Sequence, residues 1–120
     1  MAHPDTLLLI DRTQMEQVLI NLLKNATEAC AQSPNAVVAL TDSIDTASGY
    51  YQLHVTDNGL GILPEVQEKI FIPFFTTKPQ GSGIGLALSK QIVHMHHGSL
   101  RVVSQEGCTS FTLELAASGV

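Results

Sequence analysis

The chain has 120 residues, 44% of them hydrophobic and 14% charged, so it carries enough apolar matter for one compact domain and too much for a disordered one. A net charge of −5 leaves no basic patch for a nucleic-acid backbone, and Cys30 and Cys108 read as reduced intracellular thiols rather than a disulfide framework. No apolar run approaches the roughly 18 residues of a membrane span, and Met1-Ala2-His3-Pro4-Asp5 lacks signal-peptide architecture, so a cytoplasmic chain is expected, with any membrane attachment outside it.

Thr6 to Ile10 has room for one strand, and Asp11 followed three residues later by Gln14 reads as a capping box opening a helix. In that helix Met15, Val18, Leu19, Leu22, Ala26, Ala29 and Cys30 recur at spacings of three and four, which predicts a buried stripe. Gln17, Asn21, Asn25 and Glu28 form a polar stripe beside it, and Ser33-Pro34-Asn35 ends the helix. Ala36 to Asp42 and Tyr50 to Thr56 predict an antiparallel hairpin that leaves Asp57 at a strand end. Pro64 to Ile70 fits a short helix with proline in its first turn, and Pro73 to Ser82 is rich in breakers and aperiodic, as a mobile loop would be. Gly83 to His97 returns to helical spacing with Gly98 as its stop. Ser99 to Ser104 and Thr109 to Leu115 alternate as a second hairpin across Gln105-Glu106-Gly107-Cys108. The order β-α-β-β-α-loop-α-β-β implies an α+β fold of one domain, a sheet with helices layered on one face.

Four segments carry candidate chemistry. Asn21 and Asn25, four apart, project from one side of a helix, and an amide oxygen suits Mg²⁺, which keeps most of its ligands as water and phosphate; Asn25 is assigned that role. Asp57 precedes Asn58-Gly59-Leu60-Gly61-Ile62, where glycines permit a turn that a flat ring can approach, so its carboxylate is placed to accept from an adenine amino group and to reject guanine. Gly81-Ser82-Gly83-Ile84-Gly85-Leu86 opens a helix whose N-terminal N–H groups suit phosphate. A dinucleotide fold would need a strand just before those glycines, but Pro73-Phe74-Phe75-Thr76-Thr77-Lys78-Pro79 stands there. That segment reads as a hinged cover, with Phe74 and Phe75 as apolar anchors and Thr77 and Lys78 in reach of phosphate oxygens. His94, His96 and His97 lie at a helix end without a matching Cys or carboxylate cluster and are read as helix-end residues, not metal ligands.

With these residues in place the chain resembles the catalytic and ATP-binding domain of bacterial sensor histidine kinases, in the GHKL superfamily that also holds DNA gyrase, heat-shock chaperone and mismatch-repair ATPases. Gln17 to Ala29 resembles the N box, Asp57 to Ile62 the first glycine box, Phe71 to Lys78 the F box, Gly81 to Leu86 the second glycine box and Gly107 to Phe111 the last. The F box and short following lid are most similar to the nitrogen-regulation and dicarboxylate-sensing group. The resemblance implies a two-layer α/β sandwich, a mixed and mostly antiparallel sheet with three helices on one side. It implies that Asn25 ligates Mg²⁺, that Asp57 reads adenine beside Gly59, Gly61, Ile62 and Phe75, and that Thr109 assists through water. Thr77, Lys78, Gly81, Ser82, Gly83, Ile84, Gly85 and Leu86 would then border the triphosphate of ATP, with Asn21, Asn25 and Lys78 as the catalytic set. Hydrolytic members carry a glutamate where Asn21 stands, and an amide cannot accept the proton of an attacking water, so transfer to a supplied acceptor is favoured over hydrolysis. Cys108 stands where the last box usually has glycine, and the customary closing proline is absent.

None of the five histidines is followed by the acidic residue and downstream proline of a phosphoacceptor helix. The acceptor is therefore expected on a separate dimerisation domain of the same kinase, with a response regulator as indirect partner and no nucleic acid or membrane contact by this chain. The isolated chain is expected to bind ATP with Mg²⁺ without phosphorylating itself. A serine kinase of the anti-sigma type, a GHKL ATPase module and a non-catalytic nucleotide-sensing module are the alternatives.

Overall fold

A computed structural model of the chain describes residues 7–8, 11–31, 34–45, 47–75 and 84–118. Strands β1 (Leu7–Leu8), β2 (Val38–Asp45), β3 (Tyr50–Asp57), β4 (Ser99–Gln105) and β5 (Cys108–Ser118) form a sheet. Helices α1 (Arg12–Ala29), α2 (Pro64–Gln67) and α3 (Gly85–Met95) complete the described elements. The sheet order is β1-β5-β3-β2, with β4 also paired to β5, and every pairing among the described residues is antiparallel. The expected α+β sandwich is thus present, without a parallel pair in the described part.

Side-chain alternation decides which face is buried. On β3, Tyr51, Leu53 and Val55 point inward, and in register with them on β5 stand Leu115, Leu113 and Phe111. Met15, Val18, Leu22 and Ala26 of α1, with Ile92 and Val93 of α3 and Leu100 of β4, close over these residues to make the core. The opposite face is polar, paired across strands by Gln52 to Glu114 at 2.6 Å, His54 to Thr112 at 3.1 Å and Thr56 to Ser110 at 3.1 Å. At the sheet edge the buried Tyr51 hydroxyl donates to Asp42 at 2.9 Å; burial, then that bond and charge, pushes its ionisation far above the usual phenol range.

The helix ends explain why α1 and α3 lie where they do. Asp11 accepts from the Gln14 N–H at 3.0 Å, as the capping pattern predicts, but the reciprocal half of the box is replaced: the Asp11 N–H donates to His96 Nε2 at 3.0 Å. At the end of α3, His97 adopts φ 61°, its N–H donates to the His94 carbonyl and the Gly98 N–H to the Val93 carbonyl, each at 3.0 Å. This is the double bond of a Schellman ending, so the left-handed position expected at Gly98 falls on His97. Gly98 is required for another reason, because a Cβ there would stand 2.3 Å from the Glu114 carbonyl oxygen. Helix α2 stops at Gln67, earlier than the predicted Ile70, and turns carry the chain on from it.

Candidate functional site

The inward row of β3 ends in an acid. Beyond Val55 and Phe111, the next register pair is Asp57 with Thr109, each only 3% exposed, so the apolar core terminates in a carboxylate beside a hydroxyl. Asp57 Oδ1 accepts the Gly59 N–H at 2.9 Å, which closes the turn and fixes the carboxylate. Burial raises the Asp57 carboxyl above its ordinary value, and the Gly59 bond opposes that shift. Gly59 is small by necessity: a Cβ would lie 2.4 Å from the Ala29 carbonyl oxygen at the end of α1. Asn58, which the sequence reading passes over, ties the surroundings together. Its Oδ1 accepts from the Val37 N–H at 2.8 Å and the Cys30 thiol at 3.6 Å, and its Nδ2 donates to the Asn35 carbonyl at 2.7 Å.

The turn continues against the β4–β5 hairpin. Gly61 has φ 81° and its missing Cβ would meet the Gln105 carbonyl oxygen at 2.4 Å, so both conformation and space demand glycine. The Ile62 N–H donates to Ser104 Oγ at 2.8 Å, and Gln67 Nε2 donates to the Ile62 carbonyl at 2.8 Å and the Ser104 carbonyl at 3.1 Å. Ser104 and Gln67 are also missed by sequence reasoning; no motif marks them, because the bonds that join Ile62 to Ser104 and Gln67 to Ser104 link residues far apart in the chain. Cys108, at the glycine position of the last box, keeps register opposite Gln105 with its side chain exposed, and Gly107 takes the positive φ of 78°.

Helices α1 and α3 run antiparallel, since His96 meets Asp11 while Gly85 and Ser89 meet Asn21. The start of α3 therefore faces the half of α1 that carries Asn25 and leads to the Asp57 turn. The side chain of Ile84 makes no cap bond at that start, and a helix N-terminus of this kind suits an anion. Asn25 is half-buried, one turn beyond Asn21 on the polar stripe. The amide of Asn21 is engaged within the fold. Its Nδ2 donates to Ser89 Oγ at 3.1 Å and to the Gly85 carbonyl at 3.3 Å, while its Oδ1 accepts from Gln17 Nε2 at 3.1 Å. Asn21 joins the two helices and sets the position of Gly85.

One correction concerns the aromatic anchors. Phe74 is 74% exposed with φ 68°, and Phe75 is half-buried. The anchor is Phe71, edge-on to Phe111 with centroids 6.3 Å apart and capped by Lys90 Nζ at 4.4 Å from its ring centre. Position and side-chain volume alone do not distinguish three nearby phenylalanines; only Phe71 meets the core. Thr77, Lys78, Gly81, Ser82 and Gly83 lie outside the described residues. His96 has both ring nitrogens engaged, Nε2 by Asp11 and Nδ1 by the Ile92 carbonyl at 2.8 Å, which makes it a helix-end fastener. Among the described residues no group of three His, Cys, Asp or Glu could hold a metal, and no helix is long and apolar enough to cross a membrane.

An acid at a strand end, a glycine turn pressed on two carbonyls and the start of α3 thus converge on one end of the molecule. Residues 10–119 match the family model described as histidine kinase-, DNA gyrase B- and HSP90-like ATPase. The chain belongs to this ATPase family. Among curated relatives of this ATPase domain, it is 43% identical over 105 residues to the C4-dicarboxylate transport sensor protein DctB of Rhizobium meliloti (strain 1021), covering 88% of this chain and 17% of DctB. That relative fits the dicarboxylate-sensing group that the F box resembles. The solved catalytic domain of histidine kinase ThkA superposes with a TM-score of 0.79 at 36% identity, over 91% of this chain and 70% of that one. Full-length ShkA, solved in complex with AMPPNP, matches with a TM-score of 0.80 at 28% identity, over 92% of this chain and 23% of that one. The ATPase domain therefore spans about a sixth of its curated relative DctB.

Proposed function

We propose that this chain binds ATP with Mg²⁺ and, within a sensor kinase, presents the γ-phosphoryl group to a histidine on a separate dimerisation and phosphoacceptor domain. The observation that carries the reading is the Asp57 carboxylate. It is buried beside Thr109 at the close of an apolar row, where it accepts the adenine amino group while the purine lies against the turn at Gly59, Gly61 and Ile62. Guanine offers a carbonyl at that edge and is rejected. Phe75 contributes to the apolar wall, and the N–H groups at the start of α3, around Ile84, Gly85 and Leu86, meet the phosphates with Gly81, Ser82 and Gly83. Thr77 and Lys78 complete the phosphate contacts from the covering segment.

Mg²⁺, when bound, neutralises phosphate charge, and Asn25 is the residue to hold it through its amide oxygen. Asn21 is a positioning residue: by donating to the Gly85 carbonyl it keeps the start of α3 beside Asn25. An amide committed to donation does not prepare water, which supports transfer over hydrolysis. In the transfer the bond from the γ-phosphorus to the bridging oxygen breaks, ADP leaves, and a phosphorus–nitrogen bond forms on the acceptor imidazole. Catalysis then rests on placing the two reactants and compensating charge. A response regulator is the onward partner, and the cytoplasm, where ATP is supplied, is the compartment.

Incubation with labelled ATP should leave this chain unlabelled, while addition of the kinase's phosphoacceptor domain should give acid-labile label on that domain. Stable label on one of this chain's own histidines, or steady phosphate release without an acceptor, would contradict the proposal.

A further inference from the structure

Ser89 of α3 is 0% exposed, a hydroxyl residue sealed between α3 and α1. A buried hydroxyl has to be matched on both its donor and its acceptor side. Ser89 Oγ accepts from Asn21 Nδ2 at 3.1 Å and donates to the Gly85 carbonyl oxygen at 2.9 Å, and Asn21 Oδ1 in turn accepts from Gln17 Nε2 at 3.1 Å. Every bond runs the same way, so the groups form one directed chain, Gln17 to Asn21 to Ser89 to Gly85. A serine that bonds back to the carbonyl four residues before it is ordinary in a helix. Here the same carbonyl also accepts from Asn21 Nδ2 at 3.3 Å, a donor supplied by the other helix. The Gly85 oxygen therefore receives two side-chain donors, and the nearer one, Ser89, is polarised by the amides behind it.

The Gly85 carbonyl and the Leu86 N–H are the two ends of one peptide group. Donors on the oxygen draw electron density through the conjugated C–N bond and make the N–H more positive. In a helix the carbonyl points toward the C-terminus and the N–H toward the N-terminus, so donors gathered from α1 at one end of this peptide act at the end that faces out of α3. We infer that Ser89 is a positioning residue for the phosphates: with Asn21 it fixes the Gly85–Leu86 peptide and strengthens its N–H as a donor to the phosphate oxygens of the nucleotide. This rests on the reading above that phosphate meets the start of α3. It divides the polar stripe of α1, with Asn25 serving the metal and Asn21, one turn earlier, serving the phosphates through Ser89.

The test is titration of ATP and adenosine, in excess Mg²⁺, against the parent, Ser89→Ala and Ser89→Cys, with the Leu86 amide nitrogen followed by NMR in the nucleotide-free proteins. Ser89→Ala should weaken ATP about twofold to fivefold, the part of a charge-assisted hydrogen bond that cooperative polarisation adds. Adenosine affinity should stay at the parent's value, and the Leu86 nitrogen resonance should move upfield, as amide nitrogens do when the carbonyl of their own peptide group loses a donor. Ser89→Cys, whose thiol is a weaker donor, should fall between the parent and Ser89→Ala on both readouts, and it carries the test should Ser89→Ala fail to fold. A merely structural serine would weaken ATP and adenosine alike. Equal losses for the two ligands, unchanged ATP affinity or an unmoved Leu86 resonance would overturn the role of Ser89 while leaving the Asp57 reading intact. A parent that binds ATP no more tightly than adenosine would overturn both the inference and the phosphate reading beneath it.

Discussion

Replacing Gly59 by alanine tests how the end of α1 shapes the acid site. The added Cβ would lie 2.4 Å from the Ala29 carbonyl oxygen, 2.7 Å from its carbon and 3.0 Å from Asp57 Oδ1. Ordinary contact begins at 3.4 Å, so relief requires a displacement of 3.4 − 2.4 = 1.0 Å. The obstruction is backbone on both sides and no rotamer removes it. Overpacking of this kind costs about 1–3 kcal/mol, which for a domain of this size lowers Tm by roughly 4 °C per kcal/mol. The same displacement moves the carboxylate that Gly59 holds, and loss of a charge-assisted hydrogen bond of about 1.5–3 kcal/mol weakens ATP roughly tenfold to over a hundredfold. Gly49→Ala is the control: its φ of 75° strains an alanine by about 1–2 kcal/mol, but nothing lies within 4 Å and the site is distant in the fold, so ATP affinity should not change. Thermal unfolding and calorimetric titration of both variants read the two effects. Parent-like Tm and ATP affinity for Gly59→Ala would refute the close approach and its link to the carboxylate.

Asp57→Asn should bind ATP more weakly yet melt higher than the parent at pH 7. The folded protein holds the Asp57 proton above its ordinary value of 3.8, so the group favours folding below that pH and loses this contribution as pH rises through the raised value. The Tm difference should therefore close as pH falls toward 3.8, and a parent more stable than the variant at pH 7 would contradict the burial argument. Asn21→Glu cannot donate to Gly85 or Ser89 and should destabilise by about 1–3 kcal/mol in chemical denaturation, the cost of broken buried hydrogen bonds. It should also raise slow phosphate release from ATP, because a carboxylate can accept a proton from water. An unchanged rate with intact binding would count against the assignment of the amide as a bar to hydrolysis.

Periodicity made the two long helices and both hairpins legible, because a stripe at three and four or an alternation at two is a direct record of which face is buried. It placed Asp57 at its strand end and Asn21 with Asn25 on one side of α1. It could not find Asn58, Ser104 or Gln67, whose importance lies in bonds from Val37 to Asn58, from Ile62 to Ser104 and from Gln67 to Ser104 that only the folded chain brings together. Phe71 and Phe74 are chemically alike in the sequence, and only contact with Phe111 separates anchor from exposed ring. The ending of α3 illustrates the same limit: glycine marked the stop correctly, yet His97 takes the left-handed turn and Gly98 makes room for the Glu114 carbonyl. Asn21 was legible as a member of the polar stripe of α1, while its direction, toward α3, was set by tertiary contacts.

The most direct test of a base-reading carboxylate joined to a metal-holding amide is calorimetric titration of ATP, ADP and GTP, with and without Mg²⁺, against the parent, Asp57→Ala and Asn25→Ala. The expected result is adenine preference that disappears in Asp57→Ala, and Mg²⁺ enhancement of ATP binding that disappears in Asn25→Ala while adenine preference stays. Equal binding of ATP and GTP by the parent, or adenine preference that survives Asp57→Ala, would contradict it.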